Sequence, residues 1–189
     1  AYIGAGAQVE AENDITVRTS DSTKVNVLAG GAGIGAVGVG AGIGIVNIYT
    51  TTEAFVGSEA QLAADGDITV WAISEERNGE SSTVTGFGGA AGLIGIGAAV
   101  AYLDLDANIS AYLGDGVQVL RADDLRVLAN GENILDTKGY GTSIGAGAAG
   151  ASLARTKITG TMKAYLGNDI LINNVENLEI AATWNPTAS

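Results

Sequence analysis

The 189-residue chain has no cysteine and no histidine, a single proline, a single methionine and only two phenylalanines. Without cysteine it can build neither a disulfide framework nor a thiolate metal site. Without histidine it lacks the usual general base, the commonest metal ligand and the usual pH switch. Cations are scarce: 9 Lys and Arg stand against 21 Asp and Glu, for a net charge of −12. That balance argues against nucleic acid and anionic membrane surfaces as partners. No segment shows a capped period of 3.6, so helical arrays are excluded. An apolar content of 47% excludes ordinary disorder in spite of 29 glycines. The chain opens at Ala1 with no initiator Met and no signal peptide, which is the expectation for a segment of a longer or processed protein.

What is present is a repeat. AYIGAGAQVEAENDITV begins at Ala1, AFVGSEAQLAADGDITV at Ala54, AYLGDGVQVLRADDLRV at Ala111 and AYLGNDILINNVENLEI at Ala164. Tyr2, Phe55, Tyr112 and Tyr165 share one column, and Asp14, Asp67, Asp124 and Asn177 share another. In D-I-T-V the apolar residues alternate with polar ones, the period of a strand. The Asp or Asn before it suits a turn, because its short side chain can bond nearby backbone. Between these units lie glycine-rich stretches, in which Val37, Ile94 and Gly147 share a column, as do Ile43, Val100 and Leu153, and Ile48, Leu105 and Ile158. The expected organisation is one solenoid domain over 1–189, with repeats at 1–53, 54–110 and 111–163 and a partial repeat at 164–189.

The stretch GAGIGAVGVGAGIGIV, residues 31–46, admits three readings. A membrane helix is disfavoured, since the aligned third copy carries Ser152, Arg155 and Lys157 and glycine is a poor helix former. A dinucleotide loop at Gly33-x-Gly35-x-x-Gly38 lacks the helix that should follow it. Strand fits best. From Val37 onward Val37, Val39, Ala41, Ile43 and Ile45 take one side and Gly38, Gly40, Gly42 and Gly44 the other. A phase slip at residues 36–37 predicts a turn or bulge. A face of glycine lets a second layer approach closely. Further along, Asn47, Asp104 and Lys157, and then Tyr49, Asp106 and Thr159, form outward polar columns beside water.

The predicted fold is all-β: a right-handed parallel β-helix, with each repeat of 53–57 residues making two or three coils stacked ~4.8 Å apart. Two closely packed flat Gly/Ala-rich sheets are the alternative. The A-Y-[IL]-G unit, its D-[IL]-x-V strand and the interleaved G-A-G-I-G-A stretches resemble repeat regions of giant secreted bacterial surface proteins, the filamentous-haemagglutinin-like adhesins and fusobacterial leukotoxin-type proteins. The resemblance spans nearly the whole chain. It implies a β-helical stalk, a secreted or cell-surface filament role and an extracellular location. It carries over no catalytic residue, and the secretion domain of such adhesins is not among these residues.

Candidate sites are few. Asp104-x-Asp106-x-Asn108 has the spacing of the start of a calcium loop, with Asp115 at its twelfth position, but Ile109 stands where that loop needs glycine. Calcium is thus the one cofactor worth testing, against the simpler reading of an exposed strand face. Asp14, Asp67, Asp124 and Asn177 read as a ladder of turn residues, and Tyr2, Phe55, Tyr112 and Tyr165 as an aromatic ladder or a platform for sugars. Acids that repeat with the fold, such as Asp65/Asp67 and Asp123/Asp124, lack the converging bases a polysaccharide-cleaving site needs, so an enzyme is not expected. Trp71 and Trp184 are candidate partner contacts. The leading functional expectation is a structural stalk associating with itself head to tail, its ends lacking polar caps. A surface-glycan-binding adhesin module and a membrane-inserting glycine-rich segment are the alternatives, and no membrane insertion is expected under the leading one.

Overall fold

The computed structural model describes residues 1–75 and 80–189. These residues form fifteen strands and no helix, and every strand pair is parallel. The chain is a parallel β-solenoid. Tyr2 pairs with Phe55, Phe55 with Tyr112 and Tyr112 with Tyr165. Each repeat therefore closes a single coil, where two or three per repeat were expected. The cause lies in the side chains: the inward columns stack like on like, as in Ile15, Ile68, Leu125 and Leu178 in the body and Gly40, Gly97 and Gly150 in the fin. Folding a repeat into two or more coils would set these unlike columns on each other.

One coil runs through three sheets. The first contains β1 (Tyr2–Ile3), β5 (Val37–Val56), β9 (Ile94–Leu113) and β12 (Gly147–Leu166). The second contains β2 (Gln8–Ala11), β3 (Ile15–Ser22), β6 (Gln61–Ala64), β7 (Ile68–Glu75), β10 (Gln118–Glu132), β13 (Leu171–Ile172) and β14 (Val175–Trp184). The third contains β4 (Asn26–Ile34), β8 (Ser82–Ala91), β11 (Ile134–Ile144) and β15 (Thr187–Ala188).

The three 20-residue strands β5, β9 and β12 belong to two different regions. Their second halves close a body over β3, β7, β10 and β14. Inside it Ile15, Val17, Val56, Leu62, Ile68, Val70, Ile109, Leu113, Val119, Leu125 and Val127 form one apolar cluster. Their first halves fold back on β4, β8 and β11 through bends at Gly35–Ala36, Gly92–Leu93 and Gly145–Ala146. This makes a two-layered fin projecting from the body. A small cluster of Ile48, Val84, Leu103, Leu105 and Leu135 sits at the junction.

The fin has no apolar core. A Cβ on Gly31 would lie 2.2 Å from the Ala41 carbonyl oxygen, and one on Gly33 would lie 2.1 Å from that of Val39. A Cβ on Gly88 would lie 1.7 Å from the Ala98 oxygen, and one on Gly141 would lie 1.9 Å from that of Ala151. The two layers thus meet backbone to backbone, closer than the ~10 Å of ordinary stacked sheets. The close packing of Gly/Ala sheets considered as an alternative fold is a local feature of the solenoid.

Candidate functional site

The glycines of the fin are not equivalent. In register, Gly38 continues as Gly95 and Ala148, Gly42 as Ala99 and Ser152, and Gly44 as Ala101 and Ala154. Only the Gly40 column stays glycine, through Gly97 and Gly150. Facing it is a second such column, Gly31, Gly88 and Gly141. A Cβ on Gly40 would lie 1.8 Å from the Gly89 oxygen and 2.9 Å from that of Gly31, and one on Gly97 would lie 2.0 Å from the Thr142 oxygen and 2.8 Å from that of Gly88. These two facing columns are the waist of the fin. The first-copy pattern singles out Gly38, Gly40, Gly42 and Gly44 alike, whereas aligning all three copies separates Gly40 from the rest.

Putting glycine inside turns the large residues out. Val37, Val39, Ile43 and Ile45 are 60–63% exposed, and Leu28 and Ile34 on the opposite face are 79% and 88% exposed. Ile94, Ile96, Leu153, Tyr140 and Ile144 continue these exposed faces along the stack. Residues 25–52, 81–103 and 139–154 contain no charged side chain, so beyond its root, where Lys138 and Arg155 share columns with Leu28 and Ile45, the fin is an uncharged apolar blade on an acidic body.

The aromatic column is a continuous stack on the outside of the body. Ring centroids are 5.2, 5.0 and 4.9 Å apart from Tyr2 through Phe55 and Tyr112 to Tyr165, with planes within 9° of parallel. Burial, with the nearby Glu53 carboxylate, pushes the Tyr112 phenol above its ordinary range. Ring faces inside the stack are covered by their neighbours, and the two outer faces, of Tyr2 and Tyr165, belong to the ends of the solenoid.

The Asp column ties each coil to the next. Asp14 Oδ1 accepts from the Asp67 backbone N–H at 2.9 Å, Asp67 Oδ1 from that of Asp124 at 3.2 Å, and Asp124 Oδ1 from the Asn177 amide at 2.7 Å. Arg126 clamps this ladder by donating to Asp67 at 2.8 Å and to Asp124. Gly66 leaves room for the first rung, because a Cβ there would lie 2.3 Å from Asp14 Oδ1.

Asp104, Asp106 and Asn108 lie on the outer face of one continuous strand, β9, alternating with the inward Leu103, Leu105 and Ala107. A calcium loop curls its donors around one point; this backbone is extended and spreads them along a line. Asp104 accepts from Lys157 at 3.1 Å and from the Tyr102 hydroxyl at 3.2 Å, while Asp106 accepts from Asn108 at 3.2 Å. The bond to Asp104 holds the Lys157 ammonium above its usual range. Asp115 is in the turn beyond the strand, accepting from the Asn168 backbone at 2.7 Å. The alternation of these residues is thus that of an exposed strand face, whose first carboxylate holds Lys157. Among the described residues, no group of three or more acidic side chains is placed to hold a metal.

The two tryptophans are packed differently. Trp71 donates to Asn130 Oδ1 at 2.7 Å, and the Arg18 guanidinium lies 5.0 Å from its ring centroid. Trp184 packs beside Gly131, where an added Cβ would lie 3.1 Å from its ring, and its buried indole N–H has no hydrogen-bond partner among the described residues.

No protein-family model, curated protein or solved structure matches the chain.

Proposed function

We propose that the chain is a structural β-solenoid segment of an extracellular filament or adhesin stalk, extended by end-to-end stacking of coils. One observation carries this reading. The coils repeat in register, so the edge that one end offers matches the edge that the other end accepts. Among the described residues β3 and β4 each have a neighbour on one side only, as does β12 at the far end. The next coil can come from the same polypeptide or from a second copy. The Tyr and Asp columns favour the same register, since each ends in a group of the kind that its interior repeats. A glycan-binding stalk remains the second reading, with Trp71 as its contact; loss of glycan binding on Trp71→Ala would support it.

The free edge can be blocked selectively. The Ile15 N–H donates to the Asp67 carbonyl at 2.9 Å, so in a parallel ladder the Thr16 N–H points to the open side. The Phe55 N–H donates away from the second coil, to Ala1, so Asn47, an even number of residues earlier in the same strand, also points its N–H outward. Proline is tolerated at such edge positions and removes the donor. By electron microscopy in detergent-free buffer, the wild type should form filaments with an axial repeat of ~4.8 Å. A Thr16→Pro/Asn47→Pro variant should give short rods. Short rods from the wild type, or unchanged filaments from the variant, would overturn the reading.

A further inference from the structure

We infer that the outer face of the fin built by β5, β9 and β12 pairs with the same face of a second copy, joining two solenoids side by side. The face is ridged. Ala41, Ala98 and Ala151 form a row along the stack axis. On one side stand Val39, Ile96 and Ala149, and on the other Ile43, Val100 and Leu153. The alanine row is a groove beside a ridge of stiff, branched side chains. A two-fold axis running along these rows, midway between groove and ridge, lays the ridge of each copy in the groove of the other. The contact is then an interdigitated dry seam between flat sheets.

Charge selects this partner. Copies of a −12 chain repel, but the charges are confined to the body and the fin root. The fin strand from Val37 to Ile45 extends about 30 Å, nearly four Debye lengths of about 8 Å at physiological salt. The same two-fold axis that fits ridge to groove places the two acidic bodies on opposite outer sides of the seam. A lipid bilayer is the poorer occupant, because hydrocarbon cannot satisfy the unpaired edge groups of β4, β5 and β12.

Area sets when pairing becomes firm. Three strands about 4.8 Å apart and about 30 Å long give a face of roughly 400 Å² per copy. A stable interface covers roughly 800 Å² per partner. One chain is half of that, and two chains stacked end to end reach it. In this respect alone the inference rests on end-to-end stacking.

The test is the variant Ile43→Asp/Ile96→Asp, whose residues are 63% and 47% exposed and whose β circular dichroism should match the wild type. By electron microscopy, wild-type filaments should be two solenoids wide, and variant filaments should be equally long and one solenoid wide. Sedimentation equilibrium of the unstacked Thr16→Pro/Asn47→Pro chain reads the seam without filaments. It should show weak dimerisation, and adding the two Asp substitutions should weaken it at least tenfold. Equal filament widths with and without the substitutions, or an edge-blocked chain that stays monomeric at millimolar concentration, would overturn the pairing. So would flotation of the wild type with phosphatidylcholine vesicles that the Asp substitutions abolish, which would assign the face to lipid. Wild-type rods that fail to elongate but still dimerise through this face would remove the end-to-end reading and leave the seam standing.

Discussion

Body and fin are built from the same three long strands, used in opposite ways. In β5 the inward residues of the body half are Val46, Ile48, Thr50, Thr52, Ala54 and Val56, while those of the fin half are Gly38, Gly40, Gly42 and Gly44. The body gains stability by removing apolar side chains from water. The fin leaves its apolar side chains outside and is held by backbone ladders between coils and by direct contact between its layers. A continuous strand can therefore pass from a core that tolerates some change in side-chain volume to a seam that admits only small residues, and at its waist only glycine. The teaching is that hydrophobicity read along a strand does not say which face is inside; the size of the smaller residues does.

The comparison can be broken at several points. The largest effect should come from the body: Leu125→Ala, at a fully buried position, should cost about 3 kcal/mol, measured by denaturant unfolding. At the fin waist, Gly88→Ala should cost about 2 kcal/mol, since its Cβ would lie 1.7 Å from the Ala98 oxygen and overpacking costs roughly 1–3 kcal/mol. Gly30→Ala on the outer face, where the nearest atom is 3.4 Å away, should lie within about 0.5 kcal/mol of wild type. Equal costs for the two glycines would refute the distinction between inner and outer columns.

Smaller effects sharpen the picture of how coils are tied. Asp67→Ala removes the acceptor for the Asp124 N–H and a partner of Arg126, both partly exposed, and should cost about 1 kcal/mol by thermal unfolding. Tyr112 gives a pH dependence. Its folded phenol titrates above the unfolded one, so the folded state binds more protons in alkali. The stability this contributes is fully present below the ordinary phenol value near 10 and is lost as pH rises through the raised value. The melting temperature should fall across that window, and less steeply in Tyr112→Phe.

Much of the register was legible in the residues. The columns Val37/Ile94/Gly147, Ile43/Val100/Leu153 and Tyr2/Phe55/Tyr112/Tyr165 coincide with paired Cα positions, because parallel stacking sets like on like. The turn at residues 35–36 was legible from the slip in apolar phase. The number of coils was not, because turn signals mark the bends within a coil as well as its closure. That Gly38, Gly40, Gly42 and Gly44 form the face a second layer approaches was legible; that this layer is the same coil folded back through β4 was not, since the alternation does not name its partner. The Asp104-x-Asp106-x-Asn108 spacing is shared by a metal loop and by a strand with an outward polar face; the inward Leu103 and Leu105 already spoke for the strand.

The claim on which the stalk, the fin and its seam all depend is that each repeat closes one coil. The chain has no cysteine, so a disulfide can be introduced without competition. Glu53 and Ser110 are paired in register on the outer surface, with Ser110 Oγ donating to Glu53 Oε1 at 3.2 Å. Under mild oxidation Glu53→Cys/Ser110→Cys should form an intramolecular disulfide nearly completely, read by mass spectrometry of the digested chain, because neighbouring strands sit within the span a disulfide bridges. If each repeat held two or more coils, these residues would stand at least ~10 Å apart and stay reduced, which would contradict the account.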